Sequence, residues 1–144
     1  MMIVGYTTGV FDLFHIGHLN LLRNCKSLCD KLIVGVTVDE LVIYAKGKSS
    51  IIPLVERFDI VKSIKYVDEV VVQDDFDKVK AWNRLKYDLL FVGDDWKGTG
   101  QWNSYENQLL EKGVRTIYLP YTNTTSSTLI RKTLRLLELE LKKS

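Results

Sequence analysis

Short apolar, β-branched segments alternate with segments of helical periodicity, and this alternation limits the fold more than any other feature of the chain. The apolar segments predict strands over Ile3–Thr8, Lys31–Val38, Glu69–Val72, Asp88–Val92 and Arg115–Leu119. The periodic segments predict helices over His18–Asp30, Leu54–Ile64, Asp77–Leu85, Ser104–Lys112 and from Ser126 or Ser127 to about Leu141. We therefore expect an α/β protein in which strands and helices follow one another in turn.

Five strands separated by helices predict a single-domain, doubly wound, Rossmann-like sheet over residues 1–144, mostly parallel and with helices on both faces. Such sheets bind ligands beyond the carboxyl ends of their strands, near the point where the strand order reverses. The loops expected there follow the first, fourth and fifth strands. They hold the least ordinary residues of the chain, so we expect one site at this edge.

Composition limits the class of protein, the partners and the location that we expect for the chain. The chain has 144 residues, of which 46% are hydrophobic and 26% charged, as in an ordinary globular protein. Its formal net charge of +2 gives no argument for a nucleic-acid or membrane partner. We see no signal peptide and no apolar run of the roughly 20 residues that span a bilayer, so a cytoplasmic location is expected.

The segment from Gly9 to His18 places two histidines three residues apart where the first strand turns into the first helix. A helix start offers unpaired backbone N–H groups and partial positive charge, which suit a phosphate group. His15 and His18 add imidazole donors to that turn. One histidine at a helix start is usually structural, but His-Ile-Gly-His after Gly-Val-Phe-Asp predicts a phosphate-binding turn.

Zinc is a second interpretation of the two histidines, with Cys25 and Cys29 as further ligands. His18 and Cys29 would lie about 16 Å apart along one helix, at ~1.5 Å per residue. Zinc ligands all lie within about 2.3 Å of the metal. We therefore expect both cysteines to be reduced core residues and assign no residue as a direct metal ligand.

With these motifs the chain resembles the nucleotidyltransferase superfamily, whose members use the histidine turn to hold a nucleoside triphosphate. Gly93-Asp94-Asp95-Trp96, after the fourth predicted strand, resembles the cytidylyltransferase branch, in particular the enzymes that act on glycerol 3-phosphate. Carboxylate and carbonyl oxygens there would accept hydrogen bonds from the amine of cytosine. The resemblance runs from Tyr6 to about Thr133. It implies nucleotide binding by Gly9, Val10, Phe11, Asp12, Gly17 and Gly93–Trp96.

The same family binds the triphosphate with a hydroxyl-rich segment before its last helix. Here Ser126, Ser127 and Thr128 keep those hydroxyl groups, whereas Tyr121 stands where the family has an arginine. Arg131, one turn into the helix, is expected to supply the missing charge. Simple capping of the helix by the serines is the structural alternative, and the two roles are compatible.

Basic residues elsewhere in the chain complete the set that the resemblance implies. Lys46, on a polar loop after the second strand, is the candidate for bridging two phosphates, with Lys48 as the alternative. Arg57 and Lys65, on the helix after Pro53, occupy positions where the family has arginines near the nucleotide. A solvated basic face explains these last two residues equally well.

The implied reaction transfers CMP from CTP to a small phosphorylated alcohol and releases pyrophosphate. His15, His18 and Lys46 would be catalytic, and Asp12 would orient the histidine turn or help hold Mg²⁺, which we expect on the β- and γ-phosphates of CTP. The acceptor stays open. Trp102 and Tyr121 are candidate acceptor-binding residues, and glycerol 3-phosphate, choline phosphate, ethanolamine phosphate and aminoethylphosphonate are candidate acceptors.

Two other functions stay open at this stage. An adenylyltransferase acting on FMN or phosphopantetheine would share the histidine turn but read a different base. A nucleotide sensor without turnover would keep the pocket. In the last helix Ile130, Leu134, Leu137 and Leu141 form a stripe that we expect to dock on the sheet. Its additional leucines, together with the resemblance, predict a homodimer.

Overall fold

The computed structural model describes residues 1–93, 97–120 and 124–143. Its strands are β1 (Val4–Gly9), β2 (Lys31–Thr37), β3 (Glu69–Gln73), β4 (Leu89–Gly93) and β5 (Arg115–Leu119). Its helices are α1 (Ile16–Ser27), α2 (Asp39–Lys46), α3 (Leu54–Lys62), α4 (Lys78–Leu85), α5 (Gly100–Glu111) and α6 (Ser127–Lys143). The predicted alternation of strands and helices is confirmed.

The five strands form one parallel sheet in the order β3-β2-β1-β4-β5. The strand order reverses between β1 and β4, because β2 and β3 lie on one side of β1 and β4 and β5 on the other. This is the doubly wound, Rossmann-like arrangement that the sequence predicts. The carboxyl ends of β1 and β4 therefore flank the crevice in which such sheets bind ligands.

Two apolar cores cover the two faces of the sheet. On one face Tyr6 stacks on Tyr87 with ring centroids 5.0 Å apart, and Leu109 of α5 packs beside them. On the other face Leu22 of α1 and Val61 of α3 pack against the strands. Both faces of the central strands are thus largely buried, which explains the apolar runs of β2 and β4.

Two helices depart from the sequence prediction. The sequence predicts no helix between β2 and α3 and places Lys46 on a polar loop, whereas the structure has Lys46 in the last turn of α2, followed by Gly47 in the left-handed conformation with φ of 74°. Helix α5 starts at Gly100 rather than Ser104. Val38 before α2 offers no side-chain cap, so the sequence lacks the usual signal for that start, whereas Thr99 before α5 is a typical N-cap residue although its side chain makes no capping hydrogen bond.

The expectation that the leucine stripe of α6 docks on the sheet is wrong. Leu134, Leu137 and Leu141 are 50%, 55% and 76% exposed, and no described residue of α6 is buried. Polar contacts hold the helix instead, because Ser127 and Arg131 both bond to Asp12. The predicted homodimer stays a prediction. None of the helices in the described ranges has the length and apolar character needed to cross a membrane.

Candidate active site

A cavity of about 590 Å³ opens at the carboxyl edge of the sheet, at the reversal between β1 and β4. Segments distant in sequence meet there, among them the loop from β1 to α1, the end of α2, the end of β4, the first turn of α5 and the start of α6. The predicted site residues on its wall are Gly9, Val10, Phe11, His15, Gly17, His18, Lys46, Gly93, Trp102, Ser126, Ser127, Thr128 and Arg131. The convergence of these motifs on one edge is therefore found in the structure.

The two histidines form the N-terminal cap of α1. His15 has an extended backbone, and its Nδ1 accepts a hydrogen bond from the Gly17 N–H at 3.0 Å. Nδ1 of His18 accepts one from the His15 N–H at 3.2 Å. A Cβ on Gly17 would lie 2.7 Å from the His15 ring, so this position requires glycine. Because both Nδ1 atoms are acceptors, each neutral ring carries its proton on Nε2.

The environment keeps both imidazoles neutral. Burial is the largest of the causes that lower the pKa of His18 to about 4. The adjacent His15 and Lys46 contribute to this decrease, and the charge of Asp12 opposes it. Burial also lowers the pKa of His15. The ring centroids of the two histidines are 4.0 Å apart, a separation that favours neutral over doubly charged rings. At neutral pH the pair therefore offers two Nε2–H donors held in place by backbone hydrogen bonds.

This burial predicts an acid-sensitive fold. An unfolded histidine takes up a proton near pH 6.5, whereas folded His18 resists it until about pH 4. The contribution of His18 to the free energy of unfolding is therefore fully present above pH 6.5. It decreases as the pH falls towards 4, and the loss is about 1–2 kcal/mol at pH 5. Urea unfolding at pH 7.5 and 5.0 measures this. His18→Gln should flatten the dependence, and an equal stability of the unmodified chain at both pH values would contradict it.

Asp12 holds protein segments together and is absent from the cavity wall, which corrects its assignment as a nucleotide contact. It is 2% exposed, and its carboxylate accepts from the N–H groups of Ile51 and Ile52, each at 2.8 Å, and from Arg131. Burial alone would raise its pKa, but these donors lower it. Of its two expected roles, orienting the site is the one that its contacts support.

Arg131 lies on the cavity wall, as expected if it replaces the charge absent at position 121. Its guanidinium pairs with Asp12, and the side chain is 20% exposed. Ser126 Oγ accepts from the Leu129 N–H at 3.0 Å, and Ser127 Oγ donates to the Asp12 carbonyl at 2.6 Å. The serines thus cap α6 and attach it to the loop after β1. Capping of α6 is the structural role that the sequence predicts for the serines, and both residues also line the cavity.

Lys46 projects towards the same cavity from the end of α2. Burial, followed by the charge of Arg131, lowers its pKa, and Asp12 opposes the shift. Lys46 and Arg131 thus bring two cationic groups to a cavity whose described wall holds no carboxylate. Lys48, the alternative, is absent from the wall.

Arg57 is neither a substrate contact nor part of a solvated face. It has no exposed surface, and its guanidinium donates to the carbonyls of Ile52, Val10 and Thr37, each at 2.8 Å, and to Asp39 at 2.6 Å. These acceptors lie after β1, at the end of β2 and before α3. The side chain therefore ties together the backbone beneath the cavity.

The remaining predictions fall away from the cavity or outside the described ranges. Lys65 is exposed, its Nζ lies 5.2 Å from the centre of the Tyr66 ring, and it is absent from the cavity wall, so its placement favours the solvated basic face of the two explanations. Asp94, Asp95, Trp96 and Tyr121 lie outside the described residues.

Lys78 is a wall residue that the sequence analysis missed. It is 5% exposed, and its Nζ donates to Thr8 Oγ1 at 2.8 Å. One signal was available: a lysine in the first turn of a helix opposes the helix dipole, which favours anionic residues there. Asp77 caps α4 immediately before it and obscures that signal.

The described wall of this cavity supplies imidazoles, hydroxyls and cations but no carboxylate. Among the described residues no three histidine, cysteine, aspartate or glutamate side chains converge on one point, and Cys25 and Cys29 are free thiols. Mg²⁺ prefers oxygen ligands such as carboxylates, so this donor set does not fit a resident ion.

Comparisons with known proteins place the chain among nucleotide-transferring enzymes. The family model described as cytidylyltransferase-like matches residues 6–133. The chain is 37% identical over 127 residues to glycerol-3-phosphate cytidylyltransferase of Bacillus spizizenii, covering 88% of this chain and 92% of that protein. It is also similar to the lipopolysaccharide core biosynthesis protein from Thermoplasma volcanium, with a TM-score of 0.71, 26% identity and coverage of 87% of this chain and 100% of that one.

Other relatives differ in their named substrates. Ethanolamine-phosphate cytidylyltransferase of Arabidopsis thaliana is 42% identical over 96 residues, covering 62% of this chain and 22% of that protein. FAD synthase of Pyrococcus abyssi is 39% identical over 88 residues, covering 60% of each chain. The comparisons thus agree on the family and leave the acceptor open.

Proposed function

The chain belongs to the cytidylyltransferase-like family, and from that premise we propose that it transfers CMP from CTP to glycerol 3-phosphate. The products are CDP-glycerol and pyrophosphate. One observation carries the chemistry: two neutral histidines direct Nε2–H donors from a helix start into a cavity that Lys46 and Arg131 make positive. The acceptor follows from the 37% identical relative that matches nearly full length.

In the proposed reaction an oxygen of the acceptor phosphate attacks the α-phosphorus of CTP. The new bond joins that oxygen to the α-phosphorus, and the bond from the α-phosphorus to the bridging oxygen of pyrophosphate breaks with its electron pair. A phosphate monoester loses its second proton near pH 6, so the nucleophile is already ionised at neutral pH. Catalysis therefore depends on positioning and on charge stabilisation rather than on a general base.

The histidine turn supplies the charge stabilisation in this proposal. Nε2–H of His15 and of His18 donate to triphosphate oxygens, whose negative charge increases as pyrophosphate departs. The backbone hydrogen bonds to both Nδ1 atoms orient the rings before the substrate arrives, so little reorganisation is needed. Arg131, held by Asp12, faces the same phosphates. Mg²⁺ would enter with CTP as part of the substrate.

Lys46 has a separate role, because two phosphates that approach each other repel. Its ammonium would lie between the acceptor phosphate and the α-phosphate. Lys46→Met is expected to lower kcat by roughly 10²-fold, the scale of one charge interaction at a few ångströms. Lys48→Met is the matched control, since Lys48 is absent from the cavity wall. Equal losses in the two variants, measured by steady-state kinetics, would contradict this role.

Pyrophosphate release by the purified protein tests the function. CTP and ATP are compared with glycerol 3-phosphate, ethanolamine phosphate, choline phosphate and FMN as acceptors. We expect turnover with CTP and glycerol 3-phosphate. Turnover with ATP and FMN alone would favour the second candidate, an adenylyltransferase, which the relative named FAD synthase supports. Binding of nucleotide without turnover of any pair would favour a sensor.

A further inference from the structure

The distal part of α6, residues 132–143, is exposed along its whole length. Only the first turns of the helix are tied to the domain by printed side-chain bonds, from Ser127 and Arg131 to Asp12. The match to the cytidylyltransferase-like family ends at residue 133, so most of the distal part lies beyond what the family shares. A helical segment of about twelve residues is only marginally stable in water unless an apolar face packs against something. The distal part of α6 is therefore a candidate for packing against another surface.

One side of α6 has the residue spacing of a contact between two helices. Leu134 and Leu137 on this side are 50% and 55% exposed. The spacing of four, three and four residues is that of the a and d positions of a coiled coil. We call the four residues that follow it the seam: Ile130, Leu134, Leu137 and Leu141.

The opposite side of the helix also carries leucines, but their series is interrupted. Starting from Leu129, the same intervals lead to Lys132, Leu136, Leu139 and Lys143. A lysine at such a position lowers the stability of a helix pair. The seam is therefore the better surface for pairing with another helix.

We propose that α6 is a self-association helix, whose seam packs antiparallel against the seam of a second copy of this chain. In this register Ile130 faces Leu141 of the second copy, and Leu134 faces Leu137. Each contact occurs twice, once with the two copies exchanged. The surface is thus complementary to itself about a two-fold axis, as a closed dimer requires.

The charges of α6 favour the antiparallel orientation and a protein as the occupant. In that register the basic stretch of Arg131, Lys132 and Arg135 lies level with Glu138 and Glu140 of the second copy. A parallel pair would instead set each stretch level with its own like charges. Charges within a Debye length of about 8–10 Å still interact in solution. A helix that lies on an anionic membrane has a basic polar face, which Glu138 and Glu140 oppose.

Pairing would also affect the cavity, because the same helix carries Thr128 and Arg131 on the cavity wall. A second copy that packs against the seam would stabilise α6 as a helix. It would thereby hold the backbone that positions both residues.

Sedimentation velocity of the unmodified protein over roughly 1–100 µM tests the pairing. We expect monomer and dimer in equilibrium with a Kd in the micromolar range, because one helix pair is a small interface. Leu134→Gln and Leu139→Gln are matched variants, since both leucines are 50% exposed and only Leu134 belongs to the seam. Leu134→Gln should raise Kd at least about tenfold, because the two-fold axis introduces the change twice. Leu139→Gln should keep Kd within about twofold.

Several results would overturn the inference. One is an unmodified protein that stays monomeric at about 100 µM. If that monomer cosediments with phosphatidylglycerol vesicles, the seam binds a membrane surface instead. Another is a dimer that the two variants weaken equally, or that neither weakens, because the seam would then not be what holds the copies together. The measurement involves no substrate, so none of these results bears on CMP transfer.

Discussion

Replacing His18 by alanine is expected to lower kcat by roughly 10²–10³-fold, the loss that follows removal of one preorganised donor to developing charge. His18 Nε2–H would donate to the triphosphate, and its Nδ1 accepts from the His15 N–H. The same substitution therefore removes a donor to substrate and one half of the cap of α1. Steady-state kinetics at saturating CTP measures the first effect, and urea unfolding measures the second.

Two further variants separate these effects. Asparagine places its side-chain oxygen near the position of Nδ1, so His18→Asn keeps the cap and loses the donor to phosphate. Glutamine places an amide N–H near Nε2, so His18→Gln keeps the donor and loses the cap. We expect kcat of His18→Asn to match that of His18→Ala, and His18→Gln to retain more activity. Near-full activity in His18→Asn would show that Nε2–H has no catalytic role.

Replacing Arg57 by methionine is expected to lower the free energy of unfolding by about 3–5 kcal/mol. The guanidinium has no exposed surface and satisfies three backbone carbonyls as well as Asp39. Methionine fills a similar volume but donates no hydrogen bond, so the carbonyls of Val10, Thr37 and Ile52 would be buried without partners. Urea unfolding at pH 7.5 measures the loss.

The exposed arginine of α6 provides the control for this substitution. Arg135→Met is expected to change the stability by less than about 0.5 kcal/mol. Because Arg57 lies beneath the cavity and makes no contact with its interior, the folded fraction of Arg57→Met should keep its KM for CTP. A raised KM for CTP in an Arg57→Met variant of normal stability would show instead that Arg57 contributes to substrate binding.

The sheet could be predicted from local sequence because its central strands are buried on both faces and its edge strands, β3 and β5, are still partly buried. Such strands are short continuous runs of β-branched residues, and the predicted bounds of β5 agree with the observed Arg115–Leu119. Helix α2 could not be predicted in this way. It has eight residues and buries Val42 alone, so it shows little periodicity, and Val38 provides no side-chain cap.

The site was predictable where a motif is local and unpredictable where a partner is distant. The two halves of the histidine cap lie within three residues, so their spacing alone indicates a helix start. The environment of Arg57 depends on carbonyls up to 47 residues away, which no local pattern reveals. The same holds for Lys78, whose hydroxyl partner Thr8 lies 70 residues before it. Periodicity cannot show which basic residues tertiary contacts bury.

The most direct test of the account follows the α-phosphorus of CTP. The purified protein is incubated with CTP labelled at that phosphorus, unlabelled glycerol 3-phosphate and Mg²⁺, and the products are separated by chromatography. We predict that the label appears in CDP-glycerol in equal amount to the unlabelled pyrophosphate that is released. Label that stays in CTP, while the protein turns over ATP with another acceptor, would contradict CMP transfer as the function of this chain.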